Sequence, residues 1–482
     1  MINFRFITNI IGKLLFVESA FLMLCILVAL YYQENDLWAF VASSAITLAA
    51  GSLMTFTVKV KDRTLAKRDG YFIVTITWII FTIFGCLPYL LGGSIPSVVD
   101  ALFETMSGFT TTGSSILNDI EALPHATLFW RSLTQWLGGI GIIMLFLAIL
   151  PGLGIEGRDL YVAESTGPTH DKFTATFAST ARNTWILYLS LTALQTVLLL
   201  LGGMDLFDAI NHAFTTMGTG GYSTKQDSIA YWDSAYIQYI FIIFMFIGGA
   251  NFGLMYAALR GKPAKLFRDQ EFQLYVGIIL VASLIIAGGL YFNHYANLEL
   301  SIREALFQVI SILTTTGFAT ADYLLWPPLL GLIIFVLLFM GACAGSTTGG
   351  VKCVRVLLLF KNSFTEMKRT IHPNGVINVK YNGRSVHPNI MSNIMGFFIL
   401  YILIFGISSV VMSLFTSNIE TACSAVITAM SNVGPGFGEI GPMDNFAHLH
   451  DFAKIFLATL MLVGRLEFFT VLVLFSRSFW KR

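Results

Sequence analysis

Short runs of threonine and glycine recur along this chain, and their chemistry suits a dehydrated monovalent cation. Thr110, Thr111 and Thr112 precede Gly113, and Thr314, Thr315 and Thr316 precede Gly317. Two variants are Gly218-Thr219-Gly220-Gly221 and Val433-Gly434-Pro435-Gly436. A cation stripped of water needs replacement oxygens, which a ring of backbone carbonyls can supply. Aiming successive carbonyls one way requires backbone angles that glycine tolerates, and threonine adds hydroxyl oxygens. Each run ends an apolar segment of about half membrane length. Aligned from Ala101, Ala209, Ala305 and Ser424, the segments bring Gly113, Gly221, Gly317 and Gly436 into register. The candidate ion ligands are Thr111, Thr112 and Gly113; Thr219, Gly220 and Gly221; Thr315, Thr316 and Gly317; and Val433, Gly434 and Gly436. The alignment leaves open whether Gly220 or Gly221, and Gly434 or Gly436, holds the coordinating position. One such run is a common turn composition; four, about 100 residues apart, form an internal repeat.

A second set of candidates lies in the helix after each run. Gly138, Gly139 and Gly141, then Gly248 and Gly249, then residues 341–350, then Gly464 fall at similar depth. Close helix packing accounts for the first two groups. Residues 341–350 are all Gly, Ala, Cys, Ser or Thr, a poor helix expected to break mid-membrane. A flexible loop there, containing Gly345, Gly349 and Gly350, is a natural gate. Arg465 lies within the last apolar span, where a charge marks function by default. It is expected to project beneath the threonine–glycine runs, hydrogen-bond the 341–350 loop and oppose cations. The alternative is an ion pair with another helix, for example through Glu18. Arg131, at a helix start, is expected to snorkel.

The elements that must position these residues are membrane helices. The chain has 482 residues, 55% hydrophobic and 12% charged, where a soluble surface takes about 25% charged. Net charge is +1, which offers no basic field for nucleic acid. The five cysteines lack metal or disulfide spacing. Apolar runs of about 20 residues fall near 11–32, 37–58, 71–92, 126–150, 184–203, 235–259, 272–293, 326–360, 389–416 and 451–478. Half-length segments at 99–110, 206–218, 303–314 and 420–432 are too short to cross and read as re-entrant. Lys and Arg concentrate in loops 59–68, 151–182, 260–270 and 352–387 and at both ends. This places both termini in the cytoplasm and the half-length segments on the outside. Acids such as Glu104, Asp205, Asp208, Glu304 and Asp444 populate the outer loops and would draw cations inward. The fold class is therefore an all-α polytopic membrane protein. Four pseudo-symmetric helix–pore loop–helix repeats (69–182, 183–270, 271–387 and 388–482) surround a central pore, after an N-terminal helix pair (1–68).

The stretches LFETMSGFTTTGSS, SLTQWLGGIGIIML, GTGGYST, TTTGFAT, GSTTGGVK, NVGPGFG and VGRLEFF resemble the TrkH branch of the bacterial Trk/Ktr potassium-uptake family. The resemblance covers nearly the whole chain from about residue 70, and the extra helix pair fits that branch. It implies potassium (K+) as the transported ion, a filter at Thr111–Ser114, Thr219–Tyr222, Thr315–Phe318 and Gly434–Phe437, and a gating role for residues 341–350. It further implies a homodimer in membrane lipid of the bacterial inner membrane, regulated by a cytoplasmic nucleotide-responsive ring of the TrkA type. Symport with protons or sodium stays open. No enzyme is expected: Asp171-Lys172-Phe173-Thr174 lacks the glycine of a phosphorylated pump motif, and there is no P-loop. The competing reading is the potassium-binding subunit of an ATP-driven pump, which shares the four-repeat plan.

Overall fold

A computed structural model of the chain describes residues 2–58, 60, 67–141 and 177–481. Six helices among these are long and apolar enough to cross a membrane. Two of them, α1 (Phe4–Tyr32) and α2 (Leu37–Phe56), form the N-terminal hairpin. Gly12 and Gly51 let their backbones meet: a Cβ on either would lie 2.8 Å from the other's carbonyl oxygen. Ser19 and Ser44 are hydrogen-bonded across the same seam, a small-residue contact usual where lipid offers no hydrophobic drive.

Four units follow. The first runs α3 (Lys67–Gly85), α4 (Leu87–Gly92), the half-length α5 (Val98–Phe109) and α6 (His125–Ile140). The second has α7 (Phe177–Leu201), half-length α8 (Leu206–Met217), α9 (Ala235–Gly249) and α10 (Phe252–Leu259). The third has α11 (Gln270–Leu290), half-length α12 (Leu298–Leu313), α13 (Pro328–Leu337) and α14 (Cys353–Ile371). The fourth has α15 (Pro388–Met412), half-length α16 (Ile419–Ser431) and α17 (Asp451–Arg465). Each half-length helix starts at a capping side chain: Ser97, Asp205, Asn297 or Asn418 accepts a first-turn N–H.

The spans expected at 235–259 and 451–478 are not continuous, and that at 326–360 breaks at the glycine-rich stretch, as its composition predicts. The chain bends by 104° between α9 and α10 and by 107° between α17 and the turns at Phe469–Phe475. The first bend arises because Asn251 caps a new helix, accepting from the N–H groups of Gly253 and Leu254. The second follows left-handed backbone at Glu467 and Phe468. In the third unit α13 stops at Leu337, and the chain loops back so that β1 (Met340–Gly341) pairs in parallel with β2 (Val351–Lys352). Small residues at these depths thus mark breaks as well as close packing. The remainder of the span expected at 126–150, and the basic residues Lys59, Lys61, Arg63, Arg158 and Lys172, lie outside the described residues.

Candidate ion-binding site

All four half-length helices end in the same way. The residue after the last turn is left-handed: Thr111 (φ 55°), Thr219 (53°), Thr315 (53°) and Asn432 (56°). The next N–H reaches back five residues: Thr112 to Ser107, Gly220 to Thr215, Thr316 to Ser311 and Val433 to Thr428, at 2.8–3.0 Å. This closure usually employs glycine or asparagine. Threonine, β-branched, sits there at a cost of order 1–3 kcal/mol. One residue further come glycines with positive φ: Gly113 (83°), Gly221 (75°), Gly317 (81°) and Gly434 (101°).

This pattern corrects the register of the fourth run. Gly434, not Gly436, matches Gly113, and the equivalent stretch is Asn432–Pro435 instead of Gly434–Phe437. The helix alanine matching Ala101, Ala209 and Ala305 is the buried Ala422, two residues before the Ser424 chosen by sequence. Gly436 belongs to an adjoining turn, its N–H bonded to the Ile440 carbonyl (2.7 Å) and its carbonyl to the Tyr323 hydroxyl (2.8 Å). Gly221 takes the position of Gly113, and Gly220 that of Thr112.

The four loops close on one another in order. A Cβ on Gly113 would strike the carbonyl oxygen of Gly220, one on Gly221 that of Thr316, and one on Gly317 that of Val433. The cycle closes where a Cβ on Gly434 would lie 2.7 Å from the carbonyl oxygen of Thr112. All four glycines line one cavity, together with residues that follow the first, second and fourth runs. Among the described residues lining it, Asp444 is the one carboxylate. Glu104 is buried and pairs with Arg131 at 2.7 Å; Asp100 pairs with Lys454 at 2.6 Å; Asp205 caps a helix. Arg131 does not snorkel. Its guanidinium also donates to the Ser223 carbonyl (2.9 Å) and lies 3.5 Å from the Tyr222 ring centroid.

Directly on the helix-end side of the ring lie the loop 341–350 and Arg465. Arg465 donates to the Thr111 hydroxyl (3.0 Å) and to the carbonyls of Thr347 (2.8 Å), Gly138 (2.6 Å) and Gly139 (2.7 Å). It thereby touches the first threonine run, the loop and the end of α6 together. Among the described residues, Glu18 accepts no hydrogen bond at either carboxylate oxygen, so it does not receive Arg465. The N–H of Gly349 donates to the Thr315 hydroxyl (2.8 Å), and Gly345 and Gly350 supply positive φ (71° and 65°) at the loop's turns. The loop's outer edge is fastened to the breaks already described: Cys343 N–H to the Gly249 carbonyl (3.0 Å) and Asn251 to the Ala344 carbonyl (2.7 Å).

Sequence reading missed several residues. Glu271 accepts from the N–H groups of Ala344 (2.7 Å) and Val354 (3.0 Å), holding both ends of the loop. Lys352 and Arg355, counted by sequence among cytoplasmic positives, are buried. Lys352 donates to the carbonyl of Thr348, and Arg355 pairs with Glu467. The available signal was polar residues within apolar runs; their partners lie too far along the chain to be read locally.

A family model described as "TrkH: Cation transport protein" matches residues 37–482. The chain is 40% identical to Trk system potassium uptake protein TrkH of Escherichia coli K12, covering 99% of this chain and 100% of that protein. It is 35% identical to Trk system potassium uptake protein TrkG of the same strain, covering 99% of each. The crystal structure of the potassium transporter TrkH from Vibrio parahaemolyticus superposes with a TM-score of 0.89 at 37% identity, over 99% of this chain and 100% of that one. These full-length matches to uptake proteins replace the pump-subunit alternative.

Proposed function

The chain belongs to the TrkH family of cation transport proteins, and from that premise we propose that it takes up K+ through the ring of four loops, gated by residues 341–350 and Arg465. The observation that carries this reading is the cyclic closure of the loops. Four carbonyls, of Thr112, Gly220, Thr316 and Val433, stand at equivalent positions, as a site replacing a hydration shell requires. The half-length helices end at this ring, so their negative dipole ends favour a cation there. Thr111, Thr112, Gly113, Thr219, Gly220, Gly221, Thr315, Thr316, Gly317, Val433 and Gly434 form the filter. Gly436 only braces it.

Arg465 sets the closed state. It places a fixed positive charge next to the Thr111 hydroxyl while tying the loop to α6. Opening requires the loop to withdraw, with Gly345, Gly349 and Gly350 absorbing the backbone change.

Control from the cytoplasm fits a second chain of contacts. Asn382, in the hairpin joining α14 to α15, donates to Asp269 (2.6 Å). Two residues on, Glu271 holds the loop. A TrkA-type ring docking on the basic stretch 352–387 would act on the gate through that link. Inner-membrane location, both termini in the cytoplasm and assembly as a homodimer complete the proposal, supported by the basic loops and the family resemblance.

The test is uptake into liposomes holding the purified protein and loaded with potassium. Passive exchange of rubidium, competed by potassium more strongly than by sodium, is the expected result. Absence of cation flux with and without an added TrkA-type ring, from monodisperse protein, overturns it.

A further inference from the structure

The four loops are not braced alike. In the first, the hydroxyls of Thr110 and Thr112 are bonded at 2.8 Å, and in the third those of Thr314 and Thr316 at 2.8 Å. The second loop has Gly218 and Gly220 at those positions and so lacks that hydroxyl pair; its Thr219 hydroxyl donates to the Gly218 carbonyl (2.7 Å). Gln135 of α6, fully buried, reaches across from the first unit instead. Its amide nitrogen donates to the Gly220 carbonyl (2.8 Å), and its amide oxygen accepts from the Tyr222 N–H (3.0 Å). These two partners admit one orientation of the amide. Among the described residues, the equivalent carbonyls of Thr112, Thr316 and Val433 accept no side-chain hydrogen bond. The matching position in the fourth unit, counted from Gly464 against Gly138, is Met461, which has no amide to give.

We propose that Gln135 is a selectivity-determining positioning residue, which holds the Gly220 carbonyl at a fixed distance from the pore axis. The inference rests on the ring being the ion site. A carbonyl oxygen has two lone pairs, so the bond leaves one for an ion. The restrained oxygen cannot swing inward to close on a smaller ion, and it is a weaker ligand than its three counterparts. The ring therefore discriminates against sodium through one rigid oxygen while binding potassium loosely enough to release it. The same contact explains Gly220: a Cβ there would occupy the place of the Gln135 amide.

The experiment compares sodium and potassium permeability in liposomes for wild type, Gln135→Met, Gln135→Glu, Gly220→Ala, the double variant Gln135→Ala/Gly220→Ala, and Gly317→Ala. Gln135→Met removes both bonds; Gln135→Glu, held neutral at this fully buried position, keeps an acceptor for Tyr222 and an O–H donor for Gly220. Gln135→Met is expected to raise the sodium-to-potassium permeability ratio about tenfold, the worth of one hydrogen bond, and Gln135→Glu to leave it near the wild-type value. Gly220→Ala is expected to lose uptake, and the double variant to regain it with relaxed discrimination. An unchanged ratio in monodisperse Gln135→Met, with Gly317→Ala altering uptake, overturns the role of Gln135 and leaves the ring intact. Unchanged uptake in Gly317→Ala overturns the ring itself.

Discussion

Gly113→Ala is expected to reduce potassium uptake by a factor on the order of 100 or more while the protein still assembles in the membrane. The backbone cost is small: an L-residue in left-handed conformation loses roughly 1–2 kcal/mol, less than the stability of a typical fold. The functional cost is local. The new methyl would sit where the Gly220 carbonyl oxygen now lies. That oxygen cannot retreat, because Gln135 holds it from the other side. The ring must deform by about an ångström, and well-placed ligands lose on the order of 100-fold from such displacement. Gly434→Ala should behave alike, its methyl crowding the Thr112 carbonyl across the closure of the ring. The measurement is rubidium uptake per mole of monodisperse protein. Near-normal uptake in both variants would show that the ring is not the conduction site.

Arg465→Ala is expected to act in the opposite direction, raising passive cation flux. Two unit charges ~5 Å apart at an effective dielectric of ~20 repel by about 3 kcal/mol, on the order of 100-fold in rate. Removing the guanidinium also frees the Thr347, Gly138 and Gly139 carbonyls, which loosens the loop and offers oxygens to a passing ion. Arg465→Lys separates the two effects. It keeps the charge but cannot span all these partners, and flux close to wild type would assign the barrier to charge. A folded Arg465→Ala protein with unchanged or lower flux would reduce Arg465 to a structural brace.

Much of the architecture was legible because it is written four times. Threonine and glycine at the ends of half-length apolar segments recur, and the helix limits found lie within a residue or two of those read for three of the four segments. The exception, α12, begins five residues earlier than read, at Leu298, where Asn297 caps it. The fourth loop was misaligned because Ser424 looked like a segment start, while the packed alanine is Ala422. Helix breaks at Ala250 and Glu467 were not legible, since small residues serve close packing equally well. The charged residues were hardest. Arg131 with Glu104, and Arg355 with Glu467, pair over 27 and 112 residues of sequence. Nothing local distinguishes such a charge from one that belongs to a basic loop. Gln135 was hidden similarly: a lone glutamine in an apolar helix shows its purpose only once the second loop is seen to have glycines where the first and third have a bonded pair of threonines.

The most direct measurement of the central claim is anomalous diffraction from crystals of this protein grown with rubidium in place of potassium. The expected result is a peak on the pore axis, ringed by the carbonyl oxygens of Thr112, Gly220, Thr316 and Val433, and its loss in Gly113→Ala. A rubidium peak elsewhere, with none in the ring at saturating concentration, would contradict it.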